Sequence, residues 1–177
     1  MKTPMIESNY IESVKKQFTQ YKTLGEKAMS QVPDDKIDWL YNSESNSIVT
    51  IVKHMAGNML SRFTDFFISD GEKSWRNRDS EFENEKLGRE DLMTDWNDGW
   101  NCLFQVLDNL SAEDLSRIVI IRNEKHTVLE AINRQLTHYA YHVGQIIFIS
   151  KMVVDSPWES LSIPKNESGE FNSKKGL

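Results

Sequence analysis

Histidine is the residue type in this chain with the most chemistry to offer, and there are four copies of it. His138 and His142 are spaced HxxxH inside Ala131 to Ile149, AINRQLTHYAYHVGQIIFI, a stretch that reads as helix throughout. Residues four apart leave one face of a helix, with Cβ atoms roughly 5–6 Å apart. That separation suits two ligands on one metal ion, or two groups sharing one substrate. It is equally the spacing of histidines that fill a core or a surface, so the neighbouring elements and the other histidines have to decide.

The elements that would position these residues can be read from apolar periodicity. Helix is expected from about Ile6 to Gln31, with Ile11, Val14, Phe18, Tyr21, Leu24 and Ala28 on one face, stopped by Pro33. A second helix is expected from about Ser47 to Ser69, with Ser45, Asn46 and Ser47 as candidate caps and Asp70-Gly71 as its end. His54 lies in its middle. Ser47, Thr50, Asn58 and Ser61 fall near the same direction, with Gly57 beside them, a small polar line that can face a cavity. Glu72 to Gly88 is charged and aperiodic and reads as a crossover loop. Its WRNRD patch, Trp75, Arg76, Arg78 and Asp79, can lay an aromatic ring and cations over a site mouth, or be plain surface.

A third helix follows from about Arg89 to Leu110 on Leu92, Trp96, Trp100, Leu103 and Leu107, with Cys102 as a small, half-buried flank. RIVIIR, Arg117 to Arg122, is β-branched and reads as an extended segment before a turn at Asn123-Glu124-Lys125. Thr127 and Glu130 then form a capping box, which leaves His126 outside the last helix as a loop anchor or cap. That helix is expected to run to about Val154, ended by Asp155-Ser156-Pro157. Residues 158–177 read as a partly ordered arm, with Trp158, Leu161, Ile163 and Phe171 as docking points.

Four long helices in one chain point to an all-α fold, a four-helix bundle over residues 1–157. In a bundle, sites are built from side chains on facing helices. If the second and last helices meet, three neutral imidazoles converge from His54, His138 and His142. Three histidines with an open fourth position is the donor set of a catalytic zinc site, and imidazole also suits nickel or iron. No carboxylate shares those faces, which argues against a di-iron carboxylate bundle. Asn58, Gln135 and Gln145 are the expected hydrogen-bond partners of the imidazoles. On spacing alone, three half-buried histidines bonded to backbone or water remain an equal reading.

One histidine on the second helix and HxxxH on the last resemble the DinB/YfiT-like superfamily, and more closely a DinB-like branch without an assigned activity. The resemblance runs through IVKHMAGNMLSRFTDFFISDGEKSWRNRDSEF, HTVLEAINRQLTHYAYHVGQI and LSIPKNESGEFN, which together cover much of the chain. It implies a DinB-like four-helix bundle with a long crossover after helix 2. It also implies a divalent metal on His54, His138 and His142, with zinc or nickel expected first and manganese or iron as alternatives. His126 has no counterpart in that ligand set. Other superfamily members are S-transferases and isomerases that use low-molecular-weight thiols, so the resemblance implies transferase chemistry on a small molecule, with a thiol as co-substrate. Metal-dependent hydrolysis and a non-enzymatic role in stress response or protein interaction are the alternatives. Arg76, Arg78 and Arg134 are candidates for an anionic co-substrate. A homodimer is among the expected states.

Composition bounds the rest. The 177 residues are enough for one domain with a real core. A net charge of −6 provides no electrostatic footprint for nucleic acid. One cysteine excludes an intramolecular disulfide and fits a reducing compartment. No apolar run nears the ~18 residues that would cross a bilayer, and MKTPMIESNY has no apolar segment of a signal peptide. A cytoplasmic protein is expected.

Overall fold

In the computed structural model, which describes residues 6–83, 86–155 and 157–176, the chain is predominantly helical. The long helices are α1 (Ile6–Met29), α2 (Ile48–Phe63), α3 (Arg89–Asp108) and α4 (Val128–Val153), with a short α5 (Ser168–Lys174) near the end. A two-stranded antiparallel hairpin, β1 (Ile118–Ile121) and β2 (Glu124–Thr127), precedes α4.

The two helices that carry the histidines start where their first free N–H groups find a side-chain acceptor. Ser47 caps α2, its hydroxyl accepting from the Thr50 amide at 3.1 Å. Thr127 and Glu130 form the full reciprocal box at α4. The α2 helix ends earlier than its apolar pattern suggests. The pattern continues to Phe66, but Thr64 turns extended and Asp65 takes φ +50°, so the left-handed residue is Asp65 rather than Gly71. Tertiary ties explain the early stop. Arg62 Nη1 and the Ser61 hydroxyl both donate to the Gly71 carbonyl, which folds residues 64–71 back along the helix end.

The hairpin turns at Arg122-Asn123, one residue earlier than the sequence suggests. Both residues have positive φ, 55° and 62°, as a two-residue I′ turn requires. Asp70 secures this turn, its carboxylate accepting the amides of Arg122 at 2.8 Å and Asn123 at 2.7 Å. The Gly71 amide donates to the Ile120 carbonyl at 2.7 Å. The crossover after α2 is therefore tied to the hairpin before α4.

The main helix contacts are α1 with α4 and α3, and α2 with α3 and α4. The apolar stripes meet in one core around Phe18, Trp96, Trp100 and Tyr139, whose rings contact one another at 5.5–6.2 Å between centroids. The pairing of α2 with α4 brings the two histidine-bearing faces together. In the arm, Trp158 and Leu161 pack against the core and Gln31 clamps the Glu159 backbone, whereas Ile163 and Phe171 are exposed. No helix among the described residues is long and apolar enough to cross a membrane.

The α2–α3 crossing depends on Gly99. A Cβ there would sit 2.9 Å from the Ala56 Cα, a backbone atom that cannot step aside. Gly99→Ala gains ~1 kcal/mol of helix propensity but meets an overpacking cost of about 1–3 kcal/mol, so urea unfolding should show a net loss of stability. Gly144, on α4, has open space around its Cβ position, and Gly144→Ala should be stabilising by up to ~1 kcal/mol. Equal responses at the two positions would contradict the packing described here.

Candidate metal-binding site

His54 from α2 and His138 and His142 from α4 bring one ring nitrogen each to a common point. All three candidate ligand atoms lie within 4.8 Å of one another. His138 Nε2 is 3.1 Å from His142 Nε2 and 3.3 Å from His54 Nε2. His54 and His142 are buried and His138 is partly so.

The other ring nitrogen of each histidine is held by an oxygen. His54 Nδ1 lies 2.9 Å from Glu81 Oε2. His142 Nδ1 lies 2.8 Å from Gln145 Oε1, and His138 Nδ1 lies 3.4 Å from Gln135 Oε1. A carboxylate only accepts, so His54 carries its proton on Nδ1. The two amide oxygens ask the same of the other rings. In that tautomer each Nε2 presents a lone pair, and the Nε2 of His138 lies at hydrogen-bond distance from the other two. A cation at their meeting point satisfies these lone pairs. A tetrahedral ion with bonds of roughly 2.0–2.1 Å separates its ligands by roughly 3.3–3.4 Å, close to the two separations found. The donor set is therefore compatible with a divalent metal. Asn58, the third expected partner, instead accepts from the buried Tyr139 hydroxyl at 2.9 Å.

Glu81 is the residue that the sequence reading missed. It comes from the crossover, in the 3-10 turn Asp79–Phe82, and is 7% exposed. Burial alone would raise its pKa, but hydrogen bonds from His54 and Arg76 outweigh it and hold the carboxyl below the usual range. Arg76 grips it with two bonds, Nε to Oε1 at 2.7 Å and Nη2 to Oε2 at 2.9 Å. Room for the carboxylate comes from Gly57, one turn after His54, since a Cβ there would collide with Glu81 Oε1. Gly57 on the polar line of α2 was the one signal in the sequence that something approaches this face.

One cavity reaches the cluster, and a second lies beside it at Tyr141 and Gln145. The first, about 360 Å³, is lined by His54, His138 and five arginines: Arg62, Arg76, Arg78, Arg122 and Arg134. Burial lowers the Arg62 pKa, and the nearby Arg76 and Arg122 charges lower it further, against the opposing pull of Glu72. The second, about 790 Å³, is lined by Trp39, Tyr41, Gln145, Phe148 and others. Tyr141 borders both cavities, and its ring centroid is 4.2 Å from that of His142. Of the residues expected to bind substrate, Arg76, Arg78 and Arg134 line the first cavity. Trp75 lines neither and is 57% exposed. His126 sits in β2, opposite Val119, away from the cluster.

The fold and the cluster together define a helical protein with three convergent imidazoles backed by a buried carboxylate. The chain belongs to the DUF1572 family, described as proteins of unknown function, whose family model matches residues 5–167. No curated protein matches the chain.

Burial, together with the neighbouring imidazoles, lowers the His138 pKa to about 3. Burial lowers that of His142 to about 4, against a raising hydrogen bond from Gln145. Both lie below the ordinary 6.5, so below that pH the unfolded chain binds more protons than the folded one and stability falls as pH falls. Above pH 6.5 the two groups contribute no slope. In chelator-treated protein, the urea midpoint should therefore drop more steeply between pH 7 and pH 5 for wild type than for His138→Gln/His142→Gln. Parallel curves would show that the rings are not held neutral by the fold.

Proposed function

We propose that this chain is a metal-dependent enzyme of the DinB/YfiT-like superfamily, with a DinB-like four-helix bundle and one divalent ion held by His54, His138 and His142. The observation that carries the metal is the convergence of three Nε2 lone pairs, each ring backed through Nδ1 by Glu81, Gln135 or Gln145. Zinc or nickel suits neutral imidazoles best. The reaction we propose is attack of the sulfur of a low-molecular-weight thiol on an electrophilic carbon. A C–S bond forms as the bond to the leaving group breaks, with the thiol proton released to solvent and the leaving group departing with the bonding electrons.

Two cavities that share Tyr141, one of them lined by His54 and His138, favour this over single-substrate hydrolysis. The arginine-lined cavity suits an anionic thiol co-substrate, and the aromatic cleft suits the apolar part of an electrophile. A bound divalent ion would favour the thiolate, the nucleophilic form of the thiol. The chain's own residues do the rest. Glu81 fixes the tautomer and orientation of His54, as carboxylates behind metal-binding imidazoles do. Gln145 and Gln135 do the same for the α4 pair. Burial raises the Tyr141 pKa, which keeps its phenol protonated at neutral pH and able to donate a hydrogen bond at the junction of the cavities. Trp39, Tyr41 and Phe148 offer an apolar wall from which water is displaced when substrate binds.

Titration with zinc, nickel and manganese at neutral pH should show one tight site in wild type. That site should be lost in His54→Ala and in His138→Ala/His142→Ala. Glu81→Gln should weaken it about 10- to 100-fold. The metal-loaded protein should then accelerate the reaction of a low-molecular-weight thiol with an electrophile, and the histidine variants should not. Wild type that binds none of these ions, or binds them no better than the variants, would remove the metal and the enzyme reading together.

A further inference from the structure

We infer that the arginine-lined cavity binds a small dianionic group, a phosphate or a paired carboxylate, borne by a soluble ligand that reaches the histidine cluster. This deepens the two-ligand reading above and rests on it only for the identity of that ligand as a co-substrate.

The first support is charge. Five guanidinium groups line a cavity of about 360 Å³ in a protein whose net charge is −6. The carboxylates paired with them are two, Glu72 and Glu81. Glu72 lies 3.1 Å from Arg62 Nη2 and 2.9 Å from Arg122 Nε. Glu81 is fully committed to Arg76 and His54. Three positive charges are left over, and Arg78 and Arg134 have no carboxylate partner among the ion pairs of the described residues. Arg78 and Arg134 are exposed at the rim and Arg62 and Arg76 are buried behind them, so the excess charge forms a positive field at the cavity that attracts an anion.

The second support is unmet hydrogen bonding. Arg62 Nε and Arg76 Nη1 are buried and donate to nothing. Their side chains are only 4% and 2% exposed. Arg76 Nη1 comes no nearer to the Glu72 carboxylate than 3.9 Å. Buried donors without partners are rare and costly, at about 1–3 kcal/mol each. Both belong to side chains that line the cavity, so guanidinium hydrogen-bonding capacity beside it is not fully used by protein acceptors. Guanidinium forks match planar carboxylate and tetrahedral phosphate oxygens in pairs. A dianion offers paired oxygens to the guanidinium groups on the cavity wall and enough charge to offset most of the excess.

The third support is how the arginines are brought together. Arg62 comes from α2, Arg76 and Arg78 from the crossover, Arg122 from the hairpin turn and Arg134 from α4. The Asp70 bonds to the hairpin and the Arg76 bonds to Glu81 hold these separate elements in place around one space. A chance surface cluster needs no such construction.

Calorimetric titration of the metal-free and zinc-loaded protein with inorganic phosphate, malonate and acetate tests this. At least one of the two dianions should bind with or without zinc, more tightly than acetate, and should weaken as salt is raised. Arg78→Ala and Arg134→Ala alter exposed side chains, so both should fold, as circular dichroism will verify. Each should weaken the dianion about tenfold, the loss expected for one charge-assisted hydrogen bond. Preference for phosphate or for malonate tells which group the natural ligand carries. The inference is overturned if neither dianion binds better than acetate, or if binding needs zinc and ignores both arginine substitutions. A protein that binds the dianion but takes up no metal would keep this cavity's role and lose the metal reading. One that takes up metal but no dianion would do the reverse.

Discussion

The buried carboxylate of Glu81 is the joint on which the site depends. An ionised carboxylate in this position is tolerable only with charged or hydrogen-bonding partners close at hand. It has two, His54 from α2 and Arg76 from its own loop, and it fits only because position 57 has no side chain. Breaking a buried pair of this kind costs about 3–5 kcal/mol, a large part of the ~5–15 kcal/mol that holds a typical domain together. The crossover is therefore not free to wander. Its position sets the His54 tautomer, draws Arg76 into the cavity, and leaves Arg78 at the rim over Phe82, 4.8 Å from the ring centroid.

Much of this arrangement follows from local signals. Periodicity gives the four long helices, and capping chemistry at Ser47 and Thr127 gives two of their starts closely. The HxxxH pair must share a face, and a helix with His54 on a polar line is its natural counterpart, which is why the convergence of the three rings could be foreseen. Contacts between segments distant in sequence leave no such trace. Nothing near Glu81 in the chain tells that it will reach back 27 residues to His54. Arg122 joins the cavity because Asp70, 52 residues earlier, grips its amide. The end of α2 comes earlier than its periodicity predicts for the same reason, since Arg62 and Ser61 bind the Gly71 carbonyl and override a pattern that continues to Phe66. Within the WRNRD patch, composition does not distinguish Trp75, which stands in solvent, from Arg76, which is buried one residue later.

The electrostatics set the site apart from the rest of the surface. The chain is acidic overall, yet the region beside the histidines is strongly cationic, while His138 and His142 are held neutral by burial and by neighbouring imidazoles. Neutral imidazoles are the form that binds metal. A cationic wall beside them favours anionic ligands and the anionic forms of bound acids, including a thiolate. An aromatic cleft meets this wall at Tyr141 and touches Gln145, the hydrogen-bond partner of His142.

The central claim is that the fold fixes all three rings as Nδ1–H tautomers and aims their Nε2 lone pairs at one ion. Long-range proton–nitrogen NMR correlation of the imidazoles, recorded on metal-free protein and again after addition of zinc, tests it most directly. The account predicts that His54, His138 and His142 show an unprotonated Nε2 at neutral pH, and that zinc shifts these three Nε2 signals together while His126 stays unchanged. A proton on Nε2 of any of the three, or a zinc response confined to His126, would contradict it.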